Sequence, residues 1–362
     1  LKIIKKYVKK KTKDHERILL ISAITQIVFL NFKEYAVINC SVEIAKKLKI
    51  YHGFINSTLK NIAKDKIRLK HTTIEHKDLP FWFQNKTISL SKIEKKKFAT
   101  NFFNEPDVHI VFKNSVKCNN FDEILIKTSH ISGFLKNKKN IKDKKTFKSG
   151  DWWVQDFSSF FPLYNFKIID KNIKILDACA APGGKSFQML SKEFKVCLND
   201  KSEKRINTLK INLDRLNFSA KILNKDFTKF EEKEKFDFII LDAPCSAIGT
   251  IRKNPEIFFK NKGPNFKELN NLQFEMLVKA SRLIKSNGII LYMVCSFLKN
   301  ETFDIISKFL KLNKNYQLFD FELKGEDYKY SKFVNNNFMI TLPDNIYNMN
   351  IDGYFATYLK KI

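Results

Sequence analysis

Over residues 14–66 apolar side chains recur three and four positions apart, the interval that lines one face of a helix. One helix is expected to open at Asp14-His15-Glu16, a second to cover Val37 to Leu48, and a third to run from Gly53 through Ile62. The apolar run Ile18 to Leu30 follows a basic start (Lys5, Lys6, Lys9 to Lys11), an order shared with signal peptides. Ser22, Thr25 and Gln26 interrupt that run, no small-residue cleavage site follows, and it is too short to span a bilayer. It reads as a buried amphipathic helix, and no membrane partner is expected. Residues 70–148 are mixed, with strand-like pieces at Val108 to Phe112 and Glu123 to Lys127. Lys136 to Lys148 carries seven lysines and one acid, Asp143. A solvated linker is the default for such a run, with an RNA-contacting arm as the alternative.

From Asp151 onward short apolar strands alternate with helical stretches. Ile173 to Ala178, Lys195 to Leu198, Lys221 to Asn224, Phe236 to Leu241 and Gly288 to Val294 read as five strands. A helical stretch Ser186 to Lys192 follows the first, and a helix centred on Leu277 precedes the fifth. Such alternation predicts an α/β fold with a parallel sheet covered on both faces, whose ligands sit at the carboxyl ends of the strands.

A length of 362 residues exceeds the usual single core, so two or three domains are expected. The boundaries read as 1–70, 71–148 and 149–362. The net charge of +28 favours a polyanionic partner, because each neutralised phosphate releases counterions. Abundant Lys, Asn, Ile and Phe, as in AT-rich genomes, explain the residue types and only part of that excess. The six cysteines form no CxxC pair and His is scarce, which argues against a structural zinc site, and no metal is expected. Widely spaced free thiols suit a reducing cytoplasm. The chain begins at Leu1 rather than Met, so its natural start is expected to lie upstream.

Candidate chemistry gathers at the strand ends. Asp177-Ala-Cys-Ala-Ala-Pro-Gly-Gly-Lys185-Ser186 is a strand, a tight loop and a helix start. Gly183 and Gly184 let a ligand approach the backbone, and the helix N-terminus can receive a carboxylate. The loop is neither GxGxxG nor a phosphate-binding P-loop, so a ligand with a carboxylate and one adenosine fits better than a dinucleotide. Asp200, Asp226 and Asp242 end successive strands, where Asp200 would bind ribose hydroxyls and Asp226 the adenine amino group. Asp242-Ala-Pro-Cys245-Ser246 and Tyr292-Met-Val-Cys295-Ser296 leave the fourth and fifth strands. A single cysteine is most often buried packing. Two at equivalent strand ends, each followed by Ser, are hard to explain that way.

These motifs resemble the Sun/RsmB family of RNA cytosine-C5 methyltransferases, most closely its bacterial ribosomal small-subunit branch. The matching pieces are LDACAAPGGKS, LDAPCSAIGTIRKNPEI, YMVCS and DGYFATYL (Asp352 to Leu359), within a segment running from Trp152 to the end. The resemblance implies a Rossmann-like class I methyltransferase domain with a mixed, mostly parallel sheet over 149–362. It implies a small α+β domain before it and an all-α NusB-like RNA-binding segment over 1–70, which includes Gly53 to Ile62. It implies S-adenosyl-L-methionine as cofactor, held by Cys179, Ala180, Ala181, Pro182, Gly183, Gly184, Lys185, Asp200, Asp226 and Asp242. The nucleophile falls on Cys295 and the thiol assisting product release on Cys245, with Asp242 and Lys185 completing the catalytic set.

Cytosine C5 is a poor nucleophile, so methylation requires a thiolate to add first at C6, with a carboxyl group near N3. The implied partner is 16S rRNA or a small-subunit assembly intermediate, met by a cytoplasmic monomer. The same chemistry on tRNA or another RNA, or a non-catalytic RNA-binding ribosome assembly factor, are the alternatives. A nucleotide-dependent oxidoreductase is disfavoured by the glycine pattern. The sequence departs from the family twice: the opening helices of the NusB-like domain are absent, and Val294 stands where Thr usually precedes the nucleophile, removing a hydroxyl near the thiolate.

Overall fold

The computed structural model describes residues 1–362 apart from 102–103, 122, 139, 167–169, 232–234, 261 and 324. The chain forms two compact units, Leu1–Asp78 and Leu79–Ile362.

The first unit is helical: α1 (Lys2–Tyr7), α2 (Asp14–Ile24), α3 (Glu34–Lys47), α4 (His52–Lys64) and α5 (Lys66–Lys70). Glu16 accepts the Lys13 backbone N–H at 2.8 Å and so closes the first turn of α2, as a capping box does. A π-helical turn, Thr25–Phe29, continues α2 and turns Ile27 and Val28 inward. Leu20, Ile38, Ile55, Leu59 and Ile62 form one core, so the expected apolar stripes meet each other. The basic start contributes as well. Ile3 and Ile4 are buried in that core, while Lys5 and Lys6 remain exposed.

The second unit opens with two short helices, Phe81–Lys86 and Lys92–Asn101, followed by four strands, β1 (His109–Phe112), β2 (Leu125–Ser129), β3 (Ser132–Leu135) and β4 (Trp152–Val154), in the order β2-β3-β1-β4. His109 is fully buried between the Gln155 carbonyl, 2.7 Å from Nδ1, and Thr128 Oγ1, 2.8 Å from Nε2. Burial holds its pKa down at about 4, so the ring is neutral. The lysine run 136–148 is not a free linker. Phe147 packs on Trp152 with ring centroids 5.1 Å apart, under an Arg215 guanidinium 3.9 Å from its ring. Lys144 pairs with Glu123 and Lys138 with Asp107, each at 2.5 Å. Lys136, Lys142, Lys145 and Lys148 point to solvent, and Lys139 lies outside the described residues.

The remaining strands are β5 (Ile175–Asp177), β6 (Val196–Asn199), β7 (Lys221–Leu223), β8 (Phe236–Asp242), β9 (Ile284–Val294), β10 (Tyr316–Phe319), β11 (Val334–Asn335), β12 (Phe338–Thr341), β13 (Asp344–Ile346), β14 (Met349–Ile351) and β15 (Tyr354–Lys361). Apart from the β13–β14 hairpin they form a nine-stranded sheet in the order β11-β12-β15-β9-β8-β5-β6-β7, with β10 also on β15. The five strands expected from sequence are β5 to β9, all parallel to one another. The strands beyond β9 are antiparallel, and β15 lies directly against β9 through Phe355↔Val294.

Helices Gly184–Leu190, Glu203–Arg215 and Phe266–Leu283 connect the parallel strands. Side chains alternate between two cores, one on each face of the sheet. Ile240 and Met293 enter one, whereas Leu241 and Val294 enter the other. Cys295 packs against the first, so the Val294 side chain lies on the face away from it. The hydroxyl expected near the thiolate would therefore sit in a dry apolar cluster.

Candidate active site

β8 and β9 run in parallel with Asp242 opposite Met293, so the loops that leave them start side by side. The Ala243 N–H reaches the Met293 carbonyl at 2.9 Å and the Gly249 N–H the Cys295 carbonyl at 3.0 Å. The Gly353 N–H donates to the Gly249 carbonyl at 2.8 Å, which adds the turn before β15 to the same knot. Gly249 is required by this approach: a Cβ there would lie 1.9 Å from the Gly353 carbonyl oxygen. The result is that Cys245 Sγ and Cys295 Sγ stand 3.2 Å apart. The contact with the Cys295 sulfur, and then burial, push the Cys245 thiol well above its ordinary range.

Lys185 leaves the start of the helix after β5 and is buried. Its ammonium donates to Asp242 Oδ2 at 2.6 Å, Ser159 Oγ at 2.9 Å and Tyr354 Oη at 3.2 Å. The Tyr354 hydroxyl in turn donates to the Asp242 carboxylate at 3.1 Å. Asp242 is thus held by a cation and a phenol from two other elements.

A cavity of 860 Å³ opens at the carboxyl ends of β5, β8 and β9. Of the residues expected at the site, Cys179, Ala180, Ala181, Pro182, Gly184, Lys185, Asp242 and Cys295 line it. Gly183, Asp200, Asp226 and Cys245 are outside its lining. Gly183 has φ of +119° and sits against the Phe187 ring, where a Cβ would come within 2.0 Å. Asp200 works from behind the loop, accepting the Ala181 N–H at 3.2 Å and pairing with Arg205 at 3.3 Å. Asp226 stands apart, because its carboxylate pairs with Lys201 at 2.7 Å and caps the turn at Thr228. Those contacts, Lys201 first, hold its pKa down at about 2.

Several lining groups carried no individual sequence signal. Asp177 is fully buried; Ser186 Oγ donates to its Oδ2 at 2.6 Å, while its Oδ1 has no partner. Burial pushes its pKa up to about 6. Asp352 and Asp156 flank Lys253, whose ammonium lies 2.5 Å from Asp352 and 3.6 Å from Asp156. Burial, then the Asp156 charge, raises Asp352 to about 7. Asp352 and Tyr354 both lie in the DGYFATYL piece, which marked the segment without separating its roles.

S-adenosylmethionine fits this lining in two respects. The orphaned Asp177 Oδ1 offers an acceptor to a ligand ammonium, and the bare Gly184 Cα leaves space that a Cβ, 3.3 Å from the Gln155 side chain, would fill. A second cavity, of 540 Å³, lies at the opposite ends of β5 to β7 beside Ile175, Val196 and Lys221, and among the described residues no acid lines it. Among the described residues no group of His, Cys, Asp or Glu is placed to hold a metal ion. No described helix is long and apolar enough to cross a membrane.

Residues 166–360 match the family model described as 16S rRNA methyltransferase RsmB/F, and residues 2–64 match the NusB family. A relative named ribosomal RNA small subunit methyltransferase B from Shewanella oneidensis is 42% identical over 144 residues, 38% of this chain and 34% of that one. In that match the chain spans about a third of the relative's length. A probable ribosomal RNA small subunit methyltransferase B from Coxiella burnetii is 25% identical over 337 residues, 84% of this chain and 77% of that one. Among solved structures, NSun6 from Pyrococcus horikoshii with SFG, an analogue of S-adenosylmethionine, has a TM-score of 0.62 at 14% identity. It covers 77% of this chain and 97% of that one, and it shares the fold. With its family match covering more than half its length, the chain belongs to the 16S rRNA methyltransferase RsmB/F family, whose cofactor is S-adenosylmethionine.

Proposed function

We propose that this chain methylates C5 of a cytosine in ribosomal small-subunit RNA through a covalent adduct on Cys295. The observation that carries the proposal is the pair of thiols 3.2 Å apart beside the Lys185–Asp242 pair, with Cys295 and Asp242 on one cavity. The bound cofactor would supply the methyl electrophile, with Cys179 to Lys185 as its cradle and Asp200 bracing that loop from behind.

The Cys295 thiolate adds to C6 of the ring, and the electron pair gained at C5 makes that carbon nucleophilic. Asp242, oriented by Lys185 and Tyr354, would face N3 and relay a proton from the Lys185 ammonium to it, neutralising the negative charge that develops there. After methyl transfer the C5 proton passes to solvent, its bonding pair re-forms the C5–C6 double bond, the C6–S pair leaves on the Cys295 sulfur as thiolate, and N3 returns its proton to Asp242. Cys245, in contact with the departing sulfur, assists that release.

The relatives' names and the NusB match of residues 2–64 support an RNA substrate. Residues 1–70 would bind that RNA, 71–148 form the small intervening domain, and 149–362 carry catalysis. The molecule would act as a cytoplasmic monomer on 16S rRNA or an assembly intermediate.

The test is methyl transfer from labelled cofactor to small-subunit RNA and, separately, to tRNA, followed by digestion to nucleosides. Label in 5-methylcytidine from small-subunit RNA is expected. Label in another nucleoside would overturn the chemistry, and label confined to tRNA would overturn the substrate.

A further inference from the structure

Six residues beyond Cys295, the short turn Lys299–Glu301 places a glutamate in a fully buried position. Glu301 Oε1 accepts the Ser246 N–H at 2.8 Å and a Gln273 Nε2–H at 3.2 Å. Oε2 accepts the Ser246 hydroxyl at 2.5 Å and the Ser296 hydroxyl at 2.6 Å. A carboxylate offers about four acceptor positions, so these four donors use its full capacity. Among the described residues it forms no ion pair. A buried charge held only by hydrogen bonds is costly to keep, and this one is spent on one place.

That place is the pair of thiol loops. Ser246 follows Cys245 and Ser296 follows Cys295, so one carboxylate bonds to the residue next to each thiol. Gln273 extends the clamp, donating also to the Pro244 carbonyl at 2.9 Å, one residue before Cys245. The Tyr292 hydroxyl, three residues before Cys295, donates to the Glu301 carbonyl at 2.9 Å and fixes the turn itself. No other described group bonds to both serines.

We propose that Glu301 is a positioning residue which clamps Ser246 and Ser296 together and thereby sets the separation and orientation of the Cys245 and Cys295 thiols. The negative charge beside Cys245 has a second effect, adding to the factors that keep the proton on that thiol. One buried group that touches neither sulfur thus braces both thiol loops. The inference rests on the cysteine roles given above, and its test includes a readout independent of methylation.

The experiment compares the full chain with Glu301→Gln, Glu301→Asp and Ser296→Ala. Glu301→Gln keeps the shape but turns a donor toward two hydroxyls. It should lower kcat by about 10- to 100-fold, as a small misplacement of reacting groups does, while KM for S-adenosylmethionine stays within about twofold. The pH midpoint for iodoacetamide alkylation of Cys245, followed by mass spectrometry, should fall in the same variant. Glu301→Asp, which keeps the charge but shortens its reach, should restore that midpoint without restoring kcat.

Wild-type kcat together with an unmoved alkylation midpoint in Glu301→Gln would overturn the proposal. If Glu301→Gln does not fold, Ser296→Ala decides. Loss of kcat at unchanged KM supports the clamp, and wild-type kcat overturns it. If the parent chain fails to methylate cytosine, the activity reading fails on its own, while the alkylation midpoints still report on the clamp.

Discussion

Lys185 Nζ stands 2.6 Å from Asp242 Oδ2, joining the helix after β5 to the end of β8 in the wall of the cavity. The same ammonium holds Ser159 and Tyr354, so the pair is the hub of a polar group inside a largely apolar unit. Removing one partner leaves the other unpaired in a half-dry site. Lys185→Met should destabilise the fold by about 3 kcal/mol, and Lys185→Met with Asp242→Asn by less than the sum of the single changes. Urea unfolding of the four proteins gives the coupling, and strict additivity would show that the contact carries no energy.

At Gly184 the backbone itself lines the cavity. Alanine there would bring a Cβ within 3.3 Å of the Gln155 side chain, which can shift, so the fold should tolerate it. The Cβ would occupy ligand space, and calorimetric titration should show S-adenosylmethionine binding weakened by about tenfold or more, about 1.4 kcal/mol. Gly249→Ala is the contrast. With backbone 1.9 Å from the new Cβ, it should cost roughly 2–4 kcal/mol of stability, and an unchanged Tm would refute the close approach.

Asp177 gives stability a pH dependence. Burial raises its pKa from 3.8 in an open chain to about 6 in the fold. A group raised in this way contributes stability in full below the unfolded value and loses it as pH rises through the folded one. Relative to Asp177→Asn, the protein without ligand should therefore lose about 2 kcal/mol between pH 4 and pH 7. Urea midpoints of both proteins across that range test it, and a constant difference would contradict it.

Val294→Thr separates sequence resemblance from geometry. The side chain is fully buried in the apolar cluster on the face of the sheet away from Cys295. A hydroxyl there should cost about 1–3 kcal/mol of stability and leave kcat within about twofold. A large rise in kcat would mean that the hydroxyl reaches the thiol chemistry after all.

The parallel half of the sheet was readable because each of β5 to β9 is an apolar run ending at a polar or small residue, a signal contained in a few neighbouring positions. β12 and β15 were not, since their place depends on pairings such as Phe355↔Val294 between distant residues. The seven lysines of 136–148 hid Ile141 and Phe147, whose packing decides that segment. Glu301 lies in a Lys-Asn-Glu stretch that looks like exposed surface. Only the fold brings its donors, Ser246, Gln273 and Ser296, from three separate segments. Asp226 shows the reverse: a strand-end acid in the expected register, drawn to Lys201 instead of the cavity.

The division of labour between the two thiols is tested most directly by trapping. Cys245→Ala, Cys295→Ala and the double variant are each incubated with small-subunit RNA and S-adenosylmethionine, then resolved under denaturing conditions. The mechanism predicts a stable protein–RNA adduct for Cys245→Ala alone, and no methylated cytosine from Cys295→Ala. Methylation of cytosine by Cys295→Ala, or an adduct that persists in the double variant, would contradict it.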